Sequence, residues 1–150
     1  MSHSYNFQIS NTPATLTRLI DAIRPERYDE KLGEDRFTLK EVIAHLADWE
    51  QVFLDRITLA VEYPGSAIEA YDEDARAIEH KYSEKDIHHE LEVFAARRLD
   101  TVDYLLRLAE DDWDNTVIHP ERGEQSVQNL VEMITGHDLY HIYQVTQYLS

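Results

Sequence analysis

The sequence contains no cysteine, and only four glycines and four prolines interrupt its 150 residues. A chain without cysteine forms no disulfide and supplies no thiol of its own as a nucleophile or metal ligand. Thiol chemistry at this protein would therefore require a small molecule that carries the sulfur. With so few interruptions, the spacing of apolar residues is helical through nearly all of the chain.

Basic residues are also scarce: 14 lysines and arginines stand against 30 aspartates and glutamates, a formal net charge of −16. Such a surface repels phosphate groups, so we expect neither nucleic acid nor a membrane surface as a partner. The N-terminal stretch MSHSYNFQIS lacks the basic region and apolar run of a signal peptide, and no run is long enough to span a membrane. These absences predict a cytoplasmic protein.

The length of the chain is that of one domain with one apolar core. No internal repeat, low-complexity tract or linker divides the sequence. We therefore expect residues 1–150 to form a single domain.

The first long helix is predicted to begin in the stretch NTPATLTRLI. Asn11 or Thr12 can cap its N-terminus, and Pro13 suits the first helical position, where its missing N–H costs nothing. We expect this helix to end near Arg24 and Pro25.

Three further helices have recognisable starts. Thr38 and Glu41 form a capping box at the start of the second helix, which should end at residues 63–65. Ser83 can cap the third helix, and the fourth helix begins near Ser126 and runs to the C-terminus. Four long amphipathic helices predict an all-α fold, a four-helix bundle with long connections after helices two and three. The first connection should hold a short helix, and the second should be a loop.

Three charged residues fall within the apolar faces of these helices: Glu50 on the second, Arg98 on the third and Asp138 on the fourth. A charge buried alone is costly, so such groups are normally paired. One interpretation is that Arg98 pairs with one or both carboxylates and fixes the register of the helices. The other is a direct chemical role, which makes Glu50 and Asp138 the candidate catalytic residues.

The stretch ITGHDLYHIYQV places His137 and His141 four residues apart on one side of the fourth helix. Side chains at this spacing can reach one ion together. His45, on the edge of the second helix, is the remaining histidine on a well-marked core helix and is the candidate third ligand. The HxxxH pattern also occurs in helices that bind no metal, so the alternative is that these histidines are ordinary surface or core residues.

We interpret the other histidines as having no role in a site. His3, His80, His88 and His89 are expected to be solvated, and His119 in HPERG is expected to have a loop role, although it could border the site. Trp49, Arg56 and Tyr140 are candidates to line a cleft beside the metal.

Two stretches resemble the DinB/YfiT-like family of metal-dependent enzymes. They are FTLKEVIAHLADWEQVFLDRI and VIHPERGEQSVQNLVEMITGHDLYHIYQV. The resemblance implies a four-helix bundle, often a homodimer, with one divalent metal ion held by His45, His137 and His141. Zinc is the expected metal, with nickel, iron and manganese as alternatives. Family members include thiol-dependent S-transferases and a mycothiol-dependent isomerase.

Three neutral histidines that leave a coordination position open are typical of a catalytic metal site. Such a metal lowers the pKa of bound water, and a coordinated thiol loses its proton. The sequence therefore predicts an enzyme that acts on a small molecule, either a hydrolase or an S-transferase that uses a low-molecular-weight thiol. The alternative is a metal-binding stress-response or binding protein without turnover. We expect residues 64–82 and 109–125 to shape the substrate cavity.

Overall fold

The computed structural model describes residues 5–149, with side chains from residue 8 onward, so His3 lies outside the described part. Its helices are α1 (Tyr5–Ser10), α2 (Thr12–Asp21), α3 (Leu39–Glu62), α4 (Glu73–Glu79), α5 (Ile87–Leu106) and α6 (Val127–Thr146). Its strands are β1 (Ser66–Ala67), β2 (Thr116–His119) and β3 (Gly123–Ser126). No helix in this part of the chain is both long and apolar enough to cross a membrane.

The four-helix arrangement is formed by the α1–α2 segment with α3, α5 and α6. Helix α3 packs against α5 and α6, and the α1–α2 segment packs against the same two helices from the opposite side. Apolar side chains fill the bundle in two clusters. One includes Leu16, Ile43, Leu46 and Phe94, and the other includes Phe53, Ile57, Leu130 and Ile134.

The predicted capping box of α3 and the predicted start of α6 near Ser126 are confirmed. The Thr38 hydroxyl accepts the Glu41 backbone N–H, and the Glu41 carboxylate accepts the Thr38 backbone N–H in return. Ser126 and Asn129 form the equivalent pair at the start of α6. Each box satisfies backbone donors that the first turn of a helix leaves free, so these starts are set by local sequence.

The predicted start of the third long helix at Ser83 is wrong. Ser83 lies in a short 3₁₀ helix (Tyr82–Glu84), and Asp86 caps α5 by accepting the backbone N–H of His89. Serine and aspartate are both good N-cap residues, so the local sequence does not decide between them. The burial of Tyr82 and Ile87 on the bundle core decides where the helix begins.

The first long helix also differs from the prediction. The Thr12 hydroxyl does not cap α2, because it donates a hydrogen bond of 2.6 Å to the Asp138 carboxylate. Asn11 is the N-cap residue by position but makes no side-chain cap bond. The helix ends at Asp21, before the expected Arg24, and the additional short helix α1 precedes it.

The structure contains a small three-stranded sheet, so the expected all-α class is only approximate. The expectation that residues 109–125 form a loop is wrong. That segment contains a 3₁₀ helix (Glu110–Asp114) followed by the antiparallel hairpin of β2 and β3. Strand β1 pairs in parallel with β2, with Ser66 opposite Val117 and Ala67 opposite Ile118. The sheet therefore joins the two long connections to each other over one part of the bundle, while the expected short helix in the first connection is confirmed as α4.

Candidate metal centre

Three imidazoles converge between α3 and α6. The Nε2 atom of His137 lies 3.0 Å from that of His45 and 3.2 Å from that of His141. One ring nitrogen from each of the three histidines falls within 4.8 Å of the others, a spacing at which they could hold one metal ion. The predicted ligand residues are thus brought together by the fold.

The surroundings keep these histidines neutral. His45 is fully buried, and loss of solvent, with smaller effects of His137 and His141, lowers its pKa to about 2. The same desolvation lowers the pKa of His137 to about 3 and also lowers that of His141. Neutral imidazole is the form that coordinates a metal, so burial prepares all three rings for that role at neutral pH.

The spacing of the nitrogens also fits a metal ion. Zinc bonds imidazole nitrogen at about 2.0–2.1 Å, which puts tetrahedral ligand nitrogens about 3.3 Å apart. The distances of 3.0 and 3.2 Å between Nε2 atoms are close to that value. A divalent cation explains why three lone-pair donors share so small a volume, since a single proton can join only two of them.

Gln144 fixes the tautomer of one ring. The Nδ1–H of His141 donates to the side-chain oxygen of Gln144 at 2.8 Å, which leaves Nε2 unprotonated and directed at the other histidines. Both residues are buried. Gln144 was not among the predicted site residues, although its position three residues after His141 on the same helix is a usable signal.

The predicted ionic network lies at the centre of the bundle. Arg98 donates two hydrogen bonds to Glu50, two to Asp138 and one to the backbone carbonyl of Ile9, at distances from 2.6 to 2.9 Å. These bonds occupy all five N–H groups of the guanidinium. The interpretation as a buried ion-pair network is confirmed.

This network joins the helices that carry the histidines, because Glu50 lies on α3 and Asp138 is next to His137 on α6. Burial by itself lowers the pKa of Arg98, but the hydrogen bonds to Asp138 and Glu50 outweigh that effect and raise it above its ordinary value. Neither carboxylate lines the cleft described below. A catalytic role for Glu50 or Asp138 stays a prediction.

A cleft of about 380 Å³ opens beside the histidines, and we call it the histidine-side cleft. Its walls include Trp49, Phe53 and Arg56 from α3, Tyr71 and His119 from the two long connections, and His137 from α6. Both connections line this cleft, as expected, and the small sheet pairs them with each other. That a substrate binds in the cleft stays a prediction.

The cleft contains two of the three predicted lining residues, Trp49 and Arg56. Tyr140 is 62% exposed and does not line it, although its ring lies 5.0 Å from that of His141. Tyr71 was not foreseen, because no sequence pattern marks it.

His119 combines the two roles considered for it. Its Nδ1 accepts the backbone N–H groups of Glu121 and Arg122 and so shapes the hairpin turn, while the buried ring borders the cleft. His80, His88 and His89 are exposed, as predicted.

These features define a helical bundle in which three histidines meet at the wall of a cleft. The sequence model of the DinB superfamily matches residues 8–145. The chain therefore belongs to the DinB superfamily, which confirms the resemblance seen in the sequence.

Two curated relatives are proteins of Oceanobacillus iheyensis that carry the provisional name of metal-dependent hydrolase. One is 26% identical over 139 residues, which cover 93% of this chain and 80% of the relative. The other is 21% identical over 148 residues, which cover 99% of this chain and 85% of the relative.

Solved structures show the same fold. YfiT from Bacillus subtilis, described as a probable metal-dependent hydrolase with an unusual four-helix bundle topology, matches with a TM-score of 0.89 at 20% identity over 99% of this chain and 87% of its own. A mycothiol-dependent maleylpyruvate isomerase matches with a TM-score of 0.74 at 13% identity, over 97% of this chain and 61% of that longer one.

Proposed function

We propose that His45, His137 and His141 bind one divalent metal ion, zinc in the first place, and that the protein is a metal-dependent enzyme acting on a small molecule. The observation that supports this most directly is the convergence of three neutral imidazoles at the wall of a cleft. Nickel, iron and manganese are the alternative metals, because imidazole binds all of them.

A divalent ion held by three histidines would supply Lewis-acid activation of a water or thiol beside the bound substrate. The residues of the chain have separate tasks. Burial keeps the three rings neutral, the hydrogen bond to Gln144 orients His141, and Trp49 and Phe53 give the cleft an apolar wall. The names of the two relatives from Oceanobacillus iheyensis favour hydrolysis as the reaction.

Thiol transfer is the second candidate reaction. The chain has no cysteine that could occupy the metal itself, which leaves that position to a low-molecular-weight thiol. The structural neighbour that depends on mycothiol supports the same reaction type. A binding or stress-response protein that holds the metal without turnover is the non-enzymatic alternative.

The first experiment is elemental analysis of protein purified without a metal-affinity tag. We expect about one divalent ion per chain, and protein free of metal after purification in metal-supplemented buffer would contradict the proposal. The second experiment titrates the cobalt-substituted protein with low-molecular-weight thiols. A ligand-to-metal absorption band that saturates at millimolar thiol favours S-transfer.

Activity assays distinguish hydrolysis from the non-enzymatic role. Metal-dependent cleavage of small ester or amide substrates, with no thiol-dependent band, favours hydrolysis. No turnover in either assay, with stoichiometric metal present, favours the non-enzymatic role.

The structure also bears on assembly. We propose a homodimer, supported by a set of exposed apolar side chains on α5 and α6, namely Leu99, Leu106, Leu139, Tyr140 and Tyr143. Light scattering coupled to gel filtration measures the mass directly, and a monomer at micromolar concentration would contradict the proposal. The cytoplasmic location stays a prediction.

A further inference from the structure

Arg56 is a buried cation without a carboxylate partner. Its side chain is only 5% exposed, and within the described part of the chain its one hydrogen bond joins a guanidinium N–H to the backbone carbonyl of Glu69 at 2.7 Å. No described aspartate or glutamate forms an ion pair with it. A buried charge in this situation normally requires a counter-ion.

Arg98, in contrast to Arg56, is fully paired. These two are the buried arginines of the described residues, and Arg98 has its five donors satisfied by two carboxylates and a carbonyl. The chain carries an excess of 16 negative charges, so carboxylates are abundant on its surface. Arg56 therefore lacks a carboxylate partner because of how the residues around it pack, and not because the chain has few acidic residues.

Two aromatic rings lie close to the guanidinium of Arg56. Its Cζ lies 5.9 Å from the ring centre of Trp49 and 5.5 Å from that of Tyr71. Desolvation lowers the pKa of Arg56, and Arg122 and Arg76 contribute in the same direction, yet a guanidinium remains protonated at neutral pH. The rings hold the planar group in place, which prepares its free N–H groups for a planar acceptor.

This cation lies close to the histidines. Arg56 lines the histidine-side cleft together with His137. The Trp49 ring, which lies near the guanidinium, is 5.7 Å from the ring of His45. The indole Nε1 of Trp49 is buried and has no hydrogen-bond partner among the described residues. The cleft thus offers the remaining N–H groups of Arg56 as unused donors beside the histidine cluster.

We propose that Arg56 binds a carboxylate of the small-molecule substrate in the histidine-side cleft and so positions the substrate against the three histidines. The inference rests on the proposed function, because it assumes that the cleft is where substrate binds. Arg122, which also lines the cleft, adds positive charge there.

A carboxylate fits better than a phosphate dianion. The cleft also contains Glu73 and Glu121, which offset the charges of Arg56 and Arg122, so one negative charge is balanced more easily than two. Phosphate sites usually combine several backbone N–H donors at a helix N-terminus with a basic side chain. A planar carboxylate matches the fork of one guanidinium.

The test compares an acid with its uncharged amide. Benzoate, benzamide and inorganic phosphate are titrated into tag-free protein, and binding is followed by ligand-observed NMR. The variants are Arg56→Gln, Arg56→Lys, His137→Ala and the matched control Arg97→Gln. Arg97 is half-buried and donates to the backbone carbonyl of Ala47, as Arg56 does to that of Glu69. It lines the adjoining cavity, which Arg56 also borders, but not the histidine-side cleft, so it reports any binding of benzoate in that other cavity.

We expect benzoate to bind the wild type about tenfold or more tightly than benzamide, because charge-assisted hydrogen bonds are the stronger ones. Arg56→Gln should bring the ratio of the benzoate and benzamide affinities close to one, and Arg97→Gln should leave this ratio unchanged. Arg56→Lys keeps the charge but not the fork, so its ratio should be intermediate. If circular dichroism shows that Arg56→Gln does not fold, the Arg56→Lys result decides.

The His137→Ala variant separates this inference from the metal proposal. If His137→Ala still prefers benzoate over benzamide and Arg56→Gln does not, the anion site stands whether or not the wild type contains metal. If the preference disappears in His137→Ala but not in Arg56→Gln, the carboxylate binds the metal and the inference is wrong. Two results with the wild type would also overturn the inference. One is equal affinity for benzoate and benzamide, and the other is a higher affinity for phosphate than for benzoate, measured by displacement of benzoate.

Discussion

The Nε2 atoms of His45 and His137 lie 3.0 Å apart although the residues are separated by 92 positions in the chain. Helices α3 and α6 carry the two rings, and the Arg98 network joins those helices through Glu50 and Asp138. Because two bidentate ion pairs tolerate little displacement, the network restricts how far the two rings can move apart.

His137→Ala should remove the metal. The variant leaves two of three ligands, and we predict that its metal content falls to near zero under competition with a mild chelator, while the wild type retains about one ion per chain. His89→Ala, which changes an exposed histidine on α5, is the matched control. Elemental analysis measures the result, and stoichiometric metal in His137→Ala would contradict the ligand assignment.

Gln144→Leu should weaken metal binding without removing a ligand. Loss of the hydrogen bond to His141 Nδ1 frees both the tautomer and the orientation of the ring, and such changes typically cost 10- to 100-fold in metal affinity. Competition titration with a chromophoric chelator measures the affinity. Gln147→Leu, at an exposed position one turn further on, should bind metal like the wild type, and an equal loss in both variants would rule out the specific role of Gln144.

Arg98→Met should destabilise the fold strongly. The change leaves Glu50 and Asp138 buried without their cation, and removal of one partner of a buried pair typically costs about 3–5 kcal/mol. Urea denaturation of the wild type and variant measures the difference. Arg107→Met removes an exposed pair with Asp103 and should cost less than about 1 kcal/mol, so similar effects of the two changes would count against the network.

The metal-free protein should lose stability as the pH falls below 6.5. Burial lowers the folded pKa values of His45 and His137 to about 2 and about 3, so at mildly acidic pH only the unfolded chain protonates these two residues. The pKa of His141 is also lowered, so this residue changes stability in the same direction. Each such histidine costs about 1.4 kcal/mol per pH unit between its unfolded and folded pKa values.

Denaturation of chelator-treated protein between pH 7.5 and 5.5 tests this prediction, because the carboxylates contribute little in that window. Above pH 6.5 both states are neutral at these positions and the stability should be nearly constant. His141→Gln should show a shallower decline than the wild type. A free energy of unfolding that does not change over this range would show that the three rings accept protons in the folded state.

The starts of α3 and α6 could be predicted because a capping box depends on residues only three apart, such as Thr38 and Glu41. The ion network was also visible, since helical periodicity places Glu50, Arg98 and Asp138 on buried faces where charges must pair. The choice of Asp86 over Ser83 as a cap was not visible, because both residue types suit the position and only burial distinguishes them. That residues 1–150 form one domain stays a prediction.

By itself, the sequence determined that there are four long helices, which of their faces are apolar, and the spacing of His137 and His141, because these features follow from contacts within one or two helical turns. The tertiary structure decided what depends on distant segments meeting. It paired β1 with β2 across some fifty positions, and it left Arg56 buried without a carboxylate beside the histidine cluster. Neither outcome is encoded in a local pattern, since each arises from packing between segments that are far apart along the chain.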